Sequence, residues 1–117
     1  MSYVDGFVVA VPKANIEAYK EMARKSGDVW KEHGALAYVE CIGDDVPYGE
    51  VTSFPRAVQA KDDETVVFSW VVYESREKRD AIIAKVMADP RLKDSMANAP
   101  FDGKRMIYGG FQTFMEL

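Results

Sequence analysis

Residues 64–88 read ETVVFSWVVYESREKRDAIIAKVMA and join a β-rich run directly to an amphipathic helix. The run from Thr65 to Tyr73 is β-branched and aromatic with almost no polar alternation, which is typical of a strand buried on both faces. Ser75 then has the residue type of a helix N-cap. The apolar stripe of the helix consists of Ile82, Ile83, Val86 and Met87. A second β-rich run, residues 104–116, follows and completes a β-α-β unit.

The same order of elements occurs once earlier in the chain, as a strand at 3–12, a helix at 15–33 and a strand at 35–43. Because crossover connections are right-handed, two such units place both helices on the same side of one sheet. The sequence therefore predicts an α+β, ferredoxin-like βαββαβ fold with a four-stranded antiparallel sheet in the spatial order 4-1-3-2.

Length and composition predict one small soluble domain spanning residues 1–117. The net charge of −4, without any basic run, argues against nucleic-acid binding and against binding to anionic membranes. The single cysteine, Cys41, fits a reducing compartment. No signal-peptide pattern opens the chain and no apolar run approaches the roughly 20 residues of a membrane span. We expect a cytoplasmic protein.

Both faces of the predicted sheet are apolar. In the first strand, Tyr3, Phe7, Val9 and Val11 point to one side and Val4, Val8 and Ala10 to the other. Exposing either set would forfeit about 1.5–3 kcal/mol for each large side chain. Two sheets packed face to face would bury both sets, so we predict a homodimer through the sheet face, forming a dimeric α/β barrel with an interface of roughly 2,000 Å² or more.

Several local features carry structural predictions. Asn15 is expected to cap the first helix, and Gly27 to allow that helix to pack closely on the sheet. The long connection 44–63 should contain a helical turn near residues 55–59, and Asp89-Pro90 should start a further short helix. Gly109-Gly110 in the last strand indicates a bulge or a close approach to the backbone.

Five stretches resemble a known bacterial family of unknown function, the YbaA-like family. They are Tyr3-Val-Asp-Gly-Phe7, Tyr38-Val-Glu-Cys41, the segment from Pro47 to Arg56, Met87-Ala-Asp-Pro-Arg91 and the segment from Phe101 to Phe111. The resemblance covers essentially the whole chain. It implies membership of the dimeric α/β-barrel superfamily, which includes quinone-forming monooxygenases, lactone isomerases and haem-dependent enzymes. No catalytic residue follows from it. Some relatives carry a label that names a signal-recognition-particle RNA, but the acidic charge balance argues against RNA binding.

Two residues are candidates for catalysis. Glu40 lies in the middle of a strand among apolar neighbours, where a carboxylate needs a partner or serves in proton transfer. The alternative is an ion pair, or exposure at the sheet edge. His33 is the only histidine, and it is either a general base or haem ligand, or a helix-terminal histidine stabilised by the helix dipole.

Four further residues are candidates for ligand binding. Arg56 in the long connection could hold an anion, although a structural salt bridge is the alternative. Tyr38, Trp70 and Tyr108 could line an aromatic pocket, with core packing as the alternative for each. The sequence predicts no metal site, because no cluster has metal-ligand spacing, and it predicts no cofactor.

Three functions remain as hypotheses. The first is binding or conversion of a small aromatic or anionic metabolite in a pocket between sheet and helices, with the connection 44–63 as its lid. The second is a non-enzymatic dimeric structural or sensing module. The third, RNA binding, is disfavoured by the charge balance.

Overall fold

The computed structural model describes residues 1–117, apart from the side chain of Met96. Two short 3₁₀ turns, Lys13–Asn15 and Gly103–Arg105, supplement its strands and helices. The elements are β1 (Tyr3–Pro12), α1 (Ile16–Glu32), β2 (Ala37–Ile42), α2 (Phe54–Ala57), β3 (Glu64–Tyr73), α3 (Arg76–Ala88), α4 (Pro90–Ala97) and β4 (Ile107–Gln112).

The four strands form one antiparallel sheet in the order β2-β3-β1-β4. This is the predicted ferredoxin-like order, with the two most apolar strands at the centre. The register places Phe7 of β1 opposite Ser69 of β3 and opposite Tyr108 of β4. Because paired residues point to the same side, the register also fixes which side chains face the helices.

The helices cover one side of the sheet, which we call the helix face. Tyr3, Val71 and Tyr73 of the strands pack there against Val29 and Trp30 of α1. Ile82 and Val86 of α3 and Leu92 of α4 join the same buried cluster. A second cluster, Val9, Val11, Tyr19, Ala23 and Val67, continues it along α1. Both predicted helices therefore lie on the same side, as right-handed crossovers require.

Side-chain caps begin three of the four helices. Ser75 accepts a hydrogen bond from the Lys78 amide at 3.1 Å, and Asp89 accepts one from the Arg91 amide at 3.0 Å. These contacts confirm the predicted starts of α3 and α4. Asn15 stands at the predicted N-cap position of α1, but its side chain does not form the expected capping bond. Its amide nitrogen instead donates to the Pro100 carbonyl at 3.0 Å, and so ties the start of α1 to the segment before β4.

Two glycines allow close contacts on the helix face. A Cβ on Gly27 of α1 would lie 2.9 Å from the ring of Tyr38 on β2, which confirms that this glycine lets the helix approach the sheet. A Cβ on Gly110 of β4 would meet the Tyr3 hydroxyl and would lie 2.8 Å from the guanidinium of Arg79. The close approach predicted for this strand is therefore that of side chains from β1 and α3.

The long connection from β2 to β3 lies on the side of the sheet away from the helices, which we call the open face. Its Val58 is fully buried in a cluster with Val8, Ala10 and Val66. The predicted helical turn is α2, capped by Ser53, whose hydroxyl accepts from the Arg56 amide at 3.2 Å. The predicted role of this connection as a lid was wrong, because the sheet separates it from the pocket under the helices.

The rest of the open face is largely apolar. Phe68, which packs on Phe54 of α2, is 43% exposed, and Phe111 is 65% exposed. A shallow depression beside them is bordered by the apolar residues Val4, Gly6, Trp70 and Val72 and by the polar residues Ser2, Thr113 and Glu116. Exposed apolar side chains that adjoin one another in this way are typical of an interaction surface.

Candidate functional site

A carboxylate held by two tyrosines lies between α1 and the edge strand β2. The Tyr19 hydroxyl donates to Oε1 of Glu40 at 2.7 Å, and the Tyr38 hydroxyl donates to Oε2 at 2.8 Å. Tyr38 and Glu40 are two residues apart on β2, so both point to the helix face. Tyr19 reaches them from the apolar stripe of α1. We call these three residues the Glu40 cluster.

The electrostatics of the Glu40 cluster depend on neutral donors. Within the described part of the chain, Glu40 forms no salt bridge with a Lys, Arg or His side chain. Burial raises the pKa of the Tyr19 and Tyr38 hydroxyls well above the usual value, and the negative charge of Glu40 raises both further. The two phenols therefore keep their protons and remain hydrogen-bond donors to the carboxylate.

The cluster forms one wall of a small, partly open cavity of about 100 Å³ between the sheet and the helices. Ser26 and Ser69 add two hydroxyl-bearing residues to the lining. The remaining lining residues are apolar or aromatic: Phe7, Val9, Met22, Trp30, Val71, Met87, Leu92, Phe101 and Met106. The cavity thus combines one carboxylate with aromatic walls, and none of its lining residues is basic.

A second, more open space adjoins the cluster from outside. It is a groove of about 480 Å³ between α1 and β2, and Tyr19, Tyr38 and Glu40 line it as well. The same three residues line both spaces, so the cavity and the groove adjoin each other at the Glu40 cluster.

A second polar cluster lies further along the helix face. Asp5 is only 3% exposed and receives three bonds from the Arg79 guanidinium, at 2.7–3.2 Å. Nearby, the Trp30 indole donates to the Tyr73 hydroxyl at 3.0 Å. The Asp5–Arg79 pair joins α3 to the central strand β1. The buried carboxylate is thereby both hydrogen-bonded and paired with a cation. It is a structural contact.

The structure does not bring His33 to the Glu40 cluster. His33 follows the end of α1, and its Nε2 lies 3.1 Å from Oδ2 of Asp89. Asp89 also caps α4 and pairs with Arg91, and these contacts hold the pKa of its carboxyl below the usual range. His33 therefore joins two helix ends, which agrees with the helix-terminal alternative.

Arg56 also lies away from the cavity, in the connection on the open-face side. Its guanidinium donates to the carbonyl oxygens of Tyr48 at 2.9 Å and Gly49 at 3.1 Å. It also stacks over the Tyr48 ring, 3.9 Å from the centroid. Arg56 therefore fixes the shape of the connection through backbone carbonyls and an aromatic ring, whereas the sequence suggested a salt bridge or a ligand.

The aromatic candidates are divided between the two faces. Tyr38 lies in the Glu40 cluster, whereas Trp70 is on the open face beside Phe68, with 5.5 Å between the ring centroids. Tyr108 is on the helix face at the edge strand β4, where it stacks on Phe7 with the centroids 6.4 Å apart. Phe7 lines the cavity and Tyr108 does not.

Tyr19 was missed as a site residue. Its position in the apolar stripe of α1 suggested core packing alone, although a phenol in such a stripe carries a polar tip that needs a partner. No group of three or more His, Cys, Asp or Glu side chains in the described residues could hold a metal ion. Nor does any helix in that part of the chain have the length and apolar character needed to cross a membrane.

The chain has relatives in sequence and in structure. YbaA, an uncharacterised protein of Escherichia coli strain K12, is 56% identical over 116 residues, which is 99% of each chain. A dimeric ferredoxin-like protein from an uncultured marine organism superposes with a TM-score of 0.63 at 14% identity, over 100% of both chains. A mutant of SnoaB, a cofactor-independent oxygenase of Streptomyces nogalater, superposes with a TM-score of 0.56 at 13% identity, over 99% of this chain and 94% of that one.

The two structural likenesses show a shared ferredoxin-like fold, and the sequence match is far closer. The family described as a protein of unknown function, DUF1428, matches residues 2–103. With this match and the identity to YbaA, the chain belongs to the DUF1428 family.

Proposed function

We propose that this protein is a homodimer that binds a small aromatic molecule through a hydroxyl group, with Glu40 as the acceptor of the hydrogen bond. The site is the cavity between α1 and the sheet together with the adjoining groove. Tyr19 and Tyr38 position the carboxylate.

The observation that carries this proposal is a carboxylate without a cationic partner on the wall of an aromatic cavity. Glu40 is half-buried, and a half-buried carboxylate needs hydrogen-bond donors to replace the water that it has lost. Each oxygen of Glu40 accepts one hydrogen bond from a tyrosine hydroxyl. A carboxylate oxygen can accept two hydrogen bonds, so each oxygen retains a free acceptor position. A ligand hydroxyl fits that position, and the aromatic walls favour a ring behind it.

Hydrogen bonding, with the proton kept on the ligand, is the interaction that this arrangement supports. Burial and the negative charge of Glu40 raise the pKa of a neighbouring phenol, as they do for Tyr19 and Tyr38, so a ligand hydroxyl beside the carboxylate donates a hydrogen bond and keeps its proton. SnoaB is a cofactor-independent oxygenase of the same fold, which supports looking for a small-molecule ligand of this chain.

Ligand size determines where the ring lies in the site. The cavity of about 100 Å³ is smaller than the roughly 150 Å³ that holds a benzene molecule. The groove of about 480 Å³ lies within the roughly 300–1,000 Å³ range of ligand pockets. We therefore propose that the ligand ring lies in the groove against Tyr38, whose own ring packs on Trp30, and that its hydroxyl reaches Glu40 without displacing either tyrosine.

The homodimer is proposed from the open face. Phe68, Trp70, Val72 and Phe111 form an apolar surface there, and Phe68 and Phe111 remain 43% and 65% exposed in the single chain. A second open face would bury this surface, and two-fold pairing is the commonest route to such burial. The structural relative from the marine organism is a dimeric protein, which supports this assembly.

Binding of 2-naphthol tests the site, with 2-methoxynaphthalene as the analogue that lacks the proton. We expect 2-naphthol to raise the melting temperature and to quench tryptophan fluorescence, because Trp30 lines the cavity. Glu40→Gln should weaken 2-naphthol binding about tenfold to hundredfold, the value of a hydrogen bond to a charged group. Glu50→Gln, in the exposed connection, is the matched control and should leave binding unchanged.

A second function is favoured by one observation: the two tyrosines already bond both oxygens of Glu40, as in a packed core. In that case the protein is a non-enzymatic dimeric module. The two naphthalene compounds would then bind equally or not at all, and Glu40→Gln would alter only the stability of the free protein. Equal binding of both compounds would contradict the proposed hydroxyl contact.

A further inference from the structure

We infer that the ligand is a hydroxylated aromatic acid, whose hydroxyl meets Glu40 and whose carboxylate meets a row of basic side chains along the groove. This inference rests on the proposed function and adds the substrate class. It also moves the anion-binding role, which the sequence suggested for Arg56, to α1.

The outer edge of the groove is basic. Lys20, Arg24 and Lys31 of α1 line it, and Asp28 is the one acidic residue that α1 adds to the lining. Their spacing of four and seven residues places the three cations along one side of the helix. At 1.5 Å rise per residue, the row is about 16 Å long. A ligand in the groove therefore faces an excess of positive charge on one side.

The present partners of two of these cations are weak. Lys20 lies 3.7 Å from Glu17, and both side chains are mostly exposed. Arg24 lies 3.4 Å from Asp28, again with both side chains largely in water. Exposed pairs of this kind contribute little to stability. Lys20 and Arg24 can therefore turn to an anion at small cost, whereas Lys31 donates to the Leu36 carbonyl at 2.8 Å.

Between its two charged sides the groove is apolar. Ile16 and Ala23 of α1 face Ile42 of β2 and Val67 of β3 across it. Gly27 has no side chain there, so α1 packs directly against the Tyr38 ring at the floor of the groove. The groove lining therefore combines a carboxylate, apolar side chains and cations. A ring with a hydroxyl at one end and a carboxylate at the other matches this combination by charge complementarity.

Three related probes separate the two ends of the ligand: 6-hydroxy-2-naphthoate, 2-naphthol and 2-naphthoate. We expect the hydroxy acid to bind about tenfold more tightly than 2-naphthol at low salt, because it adds a contact to two cations. The gain should shrink at high ionic strength, since the cations are exposed. Titration calorimetry on the wild-type protein gives all three affinities.

A double variant locates the anion site. Lys20→Gln with Arg24→Gln should remove the gain of the hydroxy acid and leave 2-naphthol binding unchanged. The matched control carries Arg76→Gln with Lys85→Gln on α3, which changes the net charge equally outside the groove. Circular dichroism checks that both variants are folded.

Each outcome decides a separate point. If 2-naphthol binds with dependence on Glu40 but the hydroxy acid binds no tighter, the basic row is not an anion site and the proposed function stands alone. If both double variants weaken the hydroxy acid equally, the attraction is general and this inference is wrong. If neither hydroxylated compound binds, the proposed function is wrong and this inference fails with it.

Discussion

The two faces of the sheet are built from equally apolar strands but differ in polar content. The helix face includes Asp5, Glu40 and Ser69 within its packing, and Asp5 and Glu40 are each held by several hydrogen bonds. In the described residues, no buried side-chain nitrogen or oxygen lacks a partner. The large side chains on the uncovered part of the open face are apolar, namely Val4, Phe68, Trp70, Val72 and Phe111, and Ser2, Thr113 and Glu116 border them.

Because of this difference, the two faces of the sheet can pack against different partners. Polar groups on the helix face fix each helix at one position, because an unpaired buried polar group is costly. An apolar surface without such groups does not fix the position of any other element of the same chain. It can, however, pack against another apolar surface of the same shape. We therefore assign the ligand site to the helix face and the proposed subunit contact to the open face.

The largest expected effect comes from a charge on the open face. Trp70→Asp would place a carboxylate without a cation inside the proposed dimer interface. We expect dimerisation to weaken by about 4 kcal/mol or more, roughly a thousandfold, so that the variant is monomeric at micromolar concentration. Light scattering during size-exclusion chromatography measures the change.

Tyr108→Asp is the control for this charge, since Tyr108 is 73% exposed and lies on the helix face. It should leave the dimer intact. A wild-type protein that is monomeric at the same concentration would contradict the assignment of the open face, as would a dimeric Trp70→Asp variant.

A smaller effect is expected from the buried charge on the helix face. Arg79→Leu would leave Asp5 buried without its cation, which costs about 3–5 kcal/mol of the free energy of unfolding. Arg76→Leu is the matched control on the same helix, since its pair with Asp80 is exposed and 3.9 Å long. Arg76→Leu should lower the free energy of unfolding by no more than about 0.5 kcal/mol.

Urea unfolding of both variants measures this difference. Equal stability of the two would mean that the Asp5 carboxylate finds water or another donor when Arg79 is absent. The fixed position of α3 on the sheet would then have to depend on apolar packing alone.

The fold was predictable because its signals are local and periodic. The predicted run from Glu64 to Tyr73 coincides with β3, and alternation along β1 sorted its side chains correctly between the faces. The side taken by the connection 44–63 was not predictable, because it depends on where Val58 finds an apolar surface. No local sequence pattern indicates on which side of the sheet that surface lies.

The candidate site was predictable only in part. The spacing of Tyr38 and Glu40 places both on one side of a strand, but Tyr19 comes from another element and joins them only through the position of α1. The sequence likewise could not show that the Arg56 guanidinium donates hydrogen bonds to two backbone carbonyls. Contacts of this kind follow from tertiary geometry and have no local pattern.

The smallest expected effect tests how tightly α1 packs on the helix face. In an exposed helix, replacing a glycine with alanine raises the free energy of unfolding by about 1 kcal/mol. A Cβ on Gly27 would instead lie 2.9 Å from the Tyr38 ring, which is held by Glu40 at 2.8 Å and packs on Trp30. Overpacking of this kind costs about 1–3 kcal/mol, so Gly27→Ala should destabilise the protein by about 1 kcal/mol after the helix gain is subtracted.

Gly103→Ala is the control for this substitution, because a Cβ there meets no atom within 4 Å. Urea unfolding should show it to be neutral or slightly stabilising. The shift that Gly27→Ala forces on the ring should also pull the Tyr38 hydroxyl away from Glu40 and so weaken 2-naphthol binding. If Gly27→Ala instead stabilised the protein and left binding intact, the ring would have room to move, and the tight contact that distinguishes the helix face would not hold at this position.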